Sequence, residues 1–189
     1  PGIAAQTTSS LSAFRHYVEG VTHLTSWRLD AADSAFARAI AADSTFALAY
    51  YKRSIGRGWQ TELGDTTKNM LAQRALTHSA KLPERERQLV TAYAAFSEQQ
   101  FDTAKAQYSV LVARDSADAE AWYGLADAAY HSFDFNTALR AFRKALELDP
   151  TLHLAYAHEV DLFVNAAEAG QGYVLIGDSV TYLQNPANM

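Results

Sequence analysis

The chain has 189 residues, 49% of them hydrophobic and 20% charged, with a formal net charge of −5. That length suffices for one domain with a sizeable core, and lysines and arginines scattered through an acidic chain exclude a nucleic-acid surface. Abundant alanine with few glycines and prolines favours helix, and the lack of cysteine excludes disulfide and thiol chemistry without deciding the compartment.

Residues 1–8, "PGIAAQTT", read as a flexible lead-in, and a chain opening on Pro1 is expected to be a processed product or part of a longer polypeptide. Residues 13–46 read as two helices carrying Gly20, Ala32, Phe36 and Ala39 at spacings that return later. Residues 47–84 form a similar stretch, longer by four, with the extra length expected near "TELGDTT" at 61–67. Residues 85–118 put Ala92, Phe101, Ala104 and Tyr108 in the same phase. The first helix of that stretch starts at "LPERER", with proline and glutamates in the opening turn, as the missing donor and the helix dipole favour. In 119–152, Trp122, Leu125, Ala126, Ala138, Phe142 and Ala145 follow the same order, and Asp149-Pro150 stops the second helix. From His153 a first helix with Tyr156 and Phe163 is expected, after which the pattern fails: Gly172 falls at position 20 and Ser179 at position 27, where the fourth stretch has alanines. The tail, 168–189, is irregular, and "YVLI-GDS-VTYL" at 173–183 reads as a hairpin leaning on the last helix. The longest apolar run, "LVTAYAAF" at 89–96, is too short for a membrane span, and there is no signal-peptide pattern.

The recurrence has a period of 34 residues, with small side chains at positions 8, 20 and 27 and large ones at 4, 7, 11 and 24. Small residues let two antiparallel helices approach closely while the large ones fill the space between them. This register resembles the tetratricopeptide repeat over residues 13–167. The resemblance implies an all-α solenoid: repeats 13–46, 47–84, 85–118 and 119–152 plus a partial repeat at 153–167, within a solenoid of residues 9–167. Such helix pairs stack into a right-handed superhelix with a concave groove. More narrowly, "TTSSLSAFRHYVEG", "DSTFALAYYKRS" and "KLPERERQLV" resemble the repeat region that follows the kinase domain in many bacterial serine/threonine protein kinases and related sensors. No glycine-rich loop, His-Arg-Asp loop or Asp-Phe-Gly motif is present.

No catalytic residue, metal site or cofactor is expected. His153 and His158 are five apart and His16 and His23 seven apart, not the spacing of two ligands on one helix face. Glu84 with Glu86, or Asp161 with Glu168, lack a nucleophile beside them and read as solvated carboxylates. Position 7, normally an apolar core site, carries Glu19, Arg53 and Glu159, and position 11 carries His23 and Arg57. The expectation is a structural polar cluster of Glu19, His23, Arg53 and Arg57, with Glu19 and Arg53 meeting as a buried pair between neighbouring first helices. An anion pocket of Arg53, Arg57 and His23 is the alternative.

In the family, positions 2, 5, 9 and 12 of each first helix line the concave face. Carried over, these give Phe14, Tyr17, Val21 and Leu24; Leu48, Tyr51, Ile55 and Gly58; Glu86, Leu89, Tyr93 and Phe96; and Glu120, Tyr123, Asp127 and Tyr130. Tyr17, Tyr51, Tyr93, Phe96, Tyr123, Asp127 and Tyr130 are the expected binding residues, although about half of such rings should pack inward. The family's carboxylate clamp for acidic chaperone tails is missing. The expected function is a non-enzymatic scaffold for a protein or peptide partner, with no nucleic acid and no membrane span. The alternatives are a structural subunit of a larger complex, or a ligand-sensing module of a bacterial receptor kinase.

Overall fold

The computed structural model of the chain describes residues 7–60, 66–168, 171–176 and 179–184. Residues 1–6 of the expected lead-in and 61–65 of the expected insertion lie outside them. The helices are α1 Leu11–Thr25, α2 Leu29–Ala42, α3 Ala47–Gly58, α4 Thr67–Thr77, α5 Glu84–Ser97, α6 Phe101–Arg114, α7 Ala119–His131, α8 Phe135–Leu148 and α9 His153–Glu168. A 3-10 turn, Ser79–Lys81, precedes α5, and two strands follow α9, β1 Gln171–Ile176 and β2 Ser179–Gln184. The fold is all-α and of tetratricopeptide type up to that hairpin. The chain forms two compact units, Pro1–Gln107 and Tyr108–Met189.

In the N-terminal unit α1 pairs with α2 and α3 with α4, while α2 packs on α3 and α4 on α5. The small residues lie at the closest approaches: Ala32, Ala39, Ala92 and Ala104 are fully buried. Ser54 takes position 8 in the second repeat, where it too is fully buried, and its hydroxyl donates to the Lys68 carbonyl at 2.6 Å. A Cβ on Gly20 would lie 2.6 Å from the Phe36 ring, so only glycine lets α1 reach the buried Phe36 of α2. The second helix of the longer repeat buries Leu71, Ala72 and Ala75 and leaves Met70 exposed, so it does not reproduce the alanine–aromatic–alanine pattern of its neighbours.

In the C-terminal unit α7 pairs with α8, and α9 packs on α8. Ala126, Ala138, Phe142 and Ala145 are buried without remainder. The hairpin pairs antiparallel, with Tyr173 opposite Tyr182, and β1 packs on α9 and β2 on α8.

Turn chemistry repeats as faithfully as the core. Within a repeat, Trp27, Gln99 and Phe133 all take left-handed backbone, at φ 57°, 63° and 62°. One residue on, the amides of Arg28, Gln100 and Asp134 reach back to the carbonyls of His23, Ala95 and Ala129, closing the helix end as a Schellman turn. Between repeats, an aspartate ends the second helix and its Oδ1 accepts an amide two residues on: Asp43 from Thr45, Asp115 from Ala117, Asp149 from Thr151. The next first helix then docks by a long polar ring. Tyr50 donates to the Ser44 carbonyl and Trp122 to the Ser116 carbonyl, each six residues back. Pro83 stands at the N-cap of α5 rather than inside its first turn. Ser10, Asp118 and Asp134 cap α1, α7 and α8 through their side chains.

Among the described glycines the closest approach is where α6 meets α7: a Cβ on Gly124 would fall 2.3 Å from the buried Tyr108 ring. Gly124→Ala should therefore destabilise by about 1–3 kcal/mol through overpacking, more than the roughly 0.5–1 kcal/mol that alanine gains over glycine inside a helix. A thermal melt checks the sign, and a raised midpoint would mean that the ring yields without cost.

Candidate functional site

The expected Glu19–Arg53 pair is not formed. Arg53 instead holds Asp33 of α2 in a two-pronged contact, Nε to Oδ1 at 2.9 Å and a terminal nitrogen to Oδ2 at 3.1 Å, with both side chains about a quarter exposed. Arg57, one turn on, lies 3.9 Å from the same carboxylate. Glu19 is exposed, and Arg38 of α2 donates to it at 2.8 Å. His16 and His23 flank Glu19 at 3.5 and 3.7 Å. The reason is geometric: an arginine on a first helix reaches the second helix of the preceding repeat before it reaches that repeat's first helix. The cluster of Glu19, His23, Arg53 and Arg57 is thus two clusters, each completed by a residue of α2. The hydrogen bond from Arg38, then that from His16, hold the Glu19 carboxyl below its ordinary value.

The ring ladder is mostly core. Tyr51, Tyr93, Phe96 and Tyr123 are buried, as are Leu24, Leu48, Ile55 and Leu89 at the other carried-over positions. Tyr51 meets Tyr93 edge-on at 5.4 Å, Tyr93 stacks on Phe96 at 5.7 Å and Phe96 meets Phe101 at 5.4 Å. The aromatics at these positions therefore fill the seams between helices of the N-terminal unit. Of the expected binding rings, two stay half-buried, one in each unit. Tyr17 lies on Phe46 at 5.1 Å and on Phe36 at 6.0 Å. Tyr130 stacks on His158 at 4.6 Å and leans on Phe135 at 6.1 Å. Glu86 is buried, and its carboxylate accepts from Arg85 at 3.1 Å, so its charge is matched locally.

Two features have no counterpart among the sequence expectations. One is a cleft of about 410 Å³ in the N-terminal unit, lined by Thr7, Thr8, Asp43, Thr45, His78 and Lys81 among others. Thr8 closes one side of it by donating to Asp43 Oδ2 at 2.5 Å. Burial raises the Asp43 carboxyl, but hydrogen bonds from Thr8 and Thr45 outweigh it and leave the group below its ordinary value. The other is a cluster in the C-terminal unit, where His131 and His158 approach the buried Asp127 at 3.5 and 2.9 Å. Histidine-to-histidine spacing could not show it, because one ligand-type residue is the aspartate four before His131 and the third comes from α9. Glu159 lies beside Arg143 at 3.7 Å.

Residues 119–152 match the sequence model of the tetratricopeptide repeat. No curated protein matches the chain. Among solved structures, YrrB, described as a tetratricopeptide-repeat protein with an unusual peptide-binding site, aligns at 18% identity and a TM-score of 0.42, covering 78% of this chain and 92% of its own. MamA from Desulfovibrio magneticus RS-1 aligns at 18% identity and a TM-score of 0.42, covering 85% of this chain and 92% of its own.

Two outcomes follow from the polar contacts. A double-mutant cycle on Arg53 and Asp33 should return a coupling of about 0.5–3 kcal/mol, while Arg53 and Glu19 should be additive within about 0.5 kcal/mol. Denaturant melts of Arg53→Ala, Asp33→Ala, Glu19→Ala and the two doubles measure both. For Asp43 the folded value lies below the unfolded one, so the unfolded chain binds more protons in acid. That contribution is fully present above about pH 4, the unfolded aspartate value, and drains away as pH falls through the lowered folded value. Asp43→Asn should flatten the loss of stability in that acid window and leave its slope near neutrality unchanged.

Proposed function

We propose that this tetratricopeptide-repeat protein is a non-enzymatic scaffold that binds a peptide or protein segment along the first helices of its repeats. The fold itself supports protein–protein interaction, since repeats of this family are generally interaction modules and expose helix faces that a single repeat cannot bury. What carries the finer reading is that one accessible tyrosine in each compact unit sits on a bed of packed rings, Tyr17 on Phe36 and Phe46, Tyr130 on His158 and Phe135. A ring already held by its neighbours loses little freedom on binding. Tyr51, Tyr93, Phe96 and Tyr123 then act as the bed rather than as anchors. Half-buried Glu120 puts a carboxylate on the first helix of the C-terminal unit, which favours a segment with hydrophobic anchors and neutral or basic flanks over an acidic chain end.

A second reading, a structural subunit of a larger assembly, is favoured by where the most exposed apolar side chains stand. Phe133 is 80% exposed at the turn between α7 and α8, and Val110 of α6 and Met70 of α4, both on second helices, are 61% and 59% exposed. The two readings part experimentally on a peptide array and on native pull-downs. Tyr17→Ala and Tyr130→Ala should each weaken the selected peptide by about 1–2 kcal/mol, with Phe133→Ser close to neutral. Binding lost with Phe133→Ser and untouched by the tyrosine changes would move the interaction to the edges, and preference for acidic C-terminal peptides would overturn the groove reading.

A further inference from the structure

Two groups of ligand-type side chains gather imidazole and carboxylate together. In the first, around Glu19, the guanidinium of Arg38 sits 2.8 Å from the carboxylate between His16 and His23, and a cation placed there would meet that fixed positive charge. The second is built around the buried Asp127 of α7. Asp127 and His131 are four residues apart, one turn of α7, so both project from the same face. His158 of α9 completes the set, and the three candidate ligand atoms lie within 4.8 Å of one another. His158 Nε2 is 2.9 Å and His131 Nε2 3.5 Å from Asp127 Oδ1. That oxygen is closed to solvent and has no aligned hydrogen-bond donor, although the residue is only 8% exposed. A buried carboxylate oxygen left in that state costs free energy unless a positive centre approaches it.

We propose that Asp127, His131 and His158 bind one divalent transition-metal ion of the zinc class. Two imidazole nitrogens and a carboxylate oxygen are the donor set of a three-residue zinc site, which keeps a fourth position for water. Nitrogen donors disfavour calcium and magnesium, which take oxygen ligands. Four-coordinate zinc with ligands at about 2.0–2.1 Å needs donors roughly 3.3 Å apart, and the two distances to Asp127 bracket that spacing. The ring of His158 is held on Tyr130 at 4.6 Å and near Phe142 at 5.7 Å, so its orientation is set before any ion arrives. His131, whose side chain is 38% exposed, supplies both the adjustable ligand and the way in. The ion would tie α9, the unpaired first helix of the partial repeat, to α7 of the repeat before it.

The test uses untagged, chelator-treated protein of the full sequence, titrated with cobalt(II) and then with zinc. One equivalent should give the visible bands of a four-coordinate cobalt site, zinc should abolish them, and zinc should raise the melting temperature. His131→Ala and His158→Ala should each weaken binding by at least about tenfold, and zinc should no longer shift the melt. His158 is packed between rings, so if its variant misfolds, the half-exposed His131→Ala, with folding verified by circular dichroism, decides alone. No saturable uptake by the parent protein, or unchanged affinity in a folded His131→Ala, overturns the proposal and leaves an aspartate–histidine contact with no ion.

Discussion

How closely two antiparallel helices can approach governs everything else in this chain. Side chains of Phe36, Tyr108 and Phe142 each need a partner helix with almost nothing on its near face, and the chain provides Gly20, Gly124 and the buried alanines for that purpose. Large and small must alternate across the seam because protein interiors tolerate neither voids nor overlap. Once that alternation is met in one repeat, the same solution serves the next, since each repeat touches only its neighbours. The turns then have to recur too, and they do, in the left-handed residues at the first corner and the aspartates at the second.

That dependence explains which parts of the structure are legible from residues alone. Helix seams obey sterics at fixed intervals, so Ala32, Ala104 and Ala138, or Phe36, Tyr108 and Phe142, announce their burial by position. Long charged side chains obey reach, not position. Arg53 could be assigned a neighbour only by knowing that Asp33, on a second helix, comes within 2.9 Å. The Asp127, His131 and His158 cluster was hidden for a related reason: residue kind and helix spacing identify two members, while the third arrives through packing of α9.

The aromatic residues teach a subtler point. Position tells that Tyr51, Tyr93 and Tyr123 face inward from first helices, but inward means either a groove or a seam. Repeats that wrap closely turn groove positions into seams, and the 5.4 Å contact of Tyr51 with Tyr93 shows that outcome between α3 and α5. Tyr17 and Tyr130 escape complete burial, each at the end of a packed set of rings.

The three left-handed corner residues have an implication for engineering. Trp27, Gln99 and Phe133 adopt a backbone that glycine enters freely and that costs an L-residue on the order of 1–2 kcal/mol. Each corner therefore carries a small, local backbone strain. A consensus design of this repeat would set the relief of that strain by glycine against the extra freedom glycine gives the unfolded chain and the ring contacts it removes, Trp27 with Trp59 and Phe133 with Phe135. Its stability is thus tuned at the corners without a change in its helices.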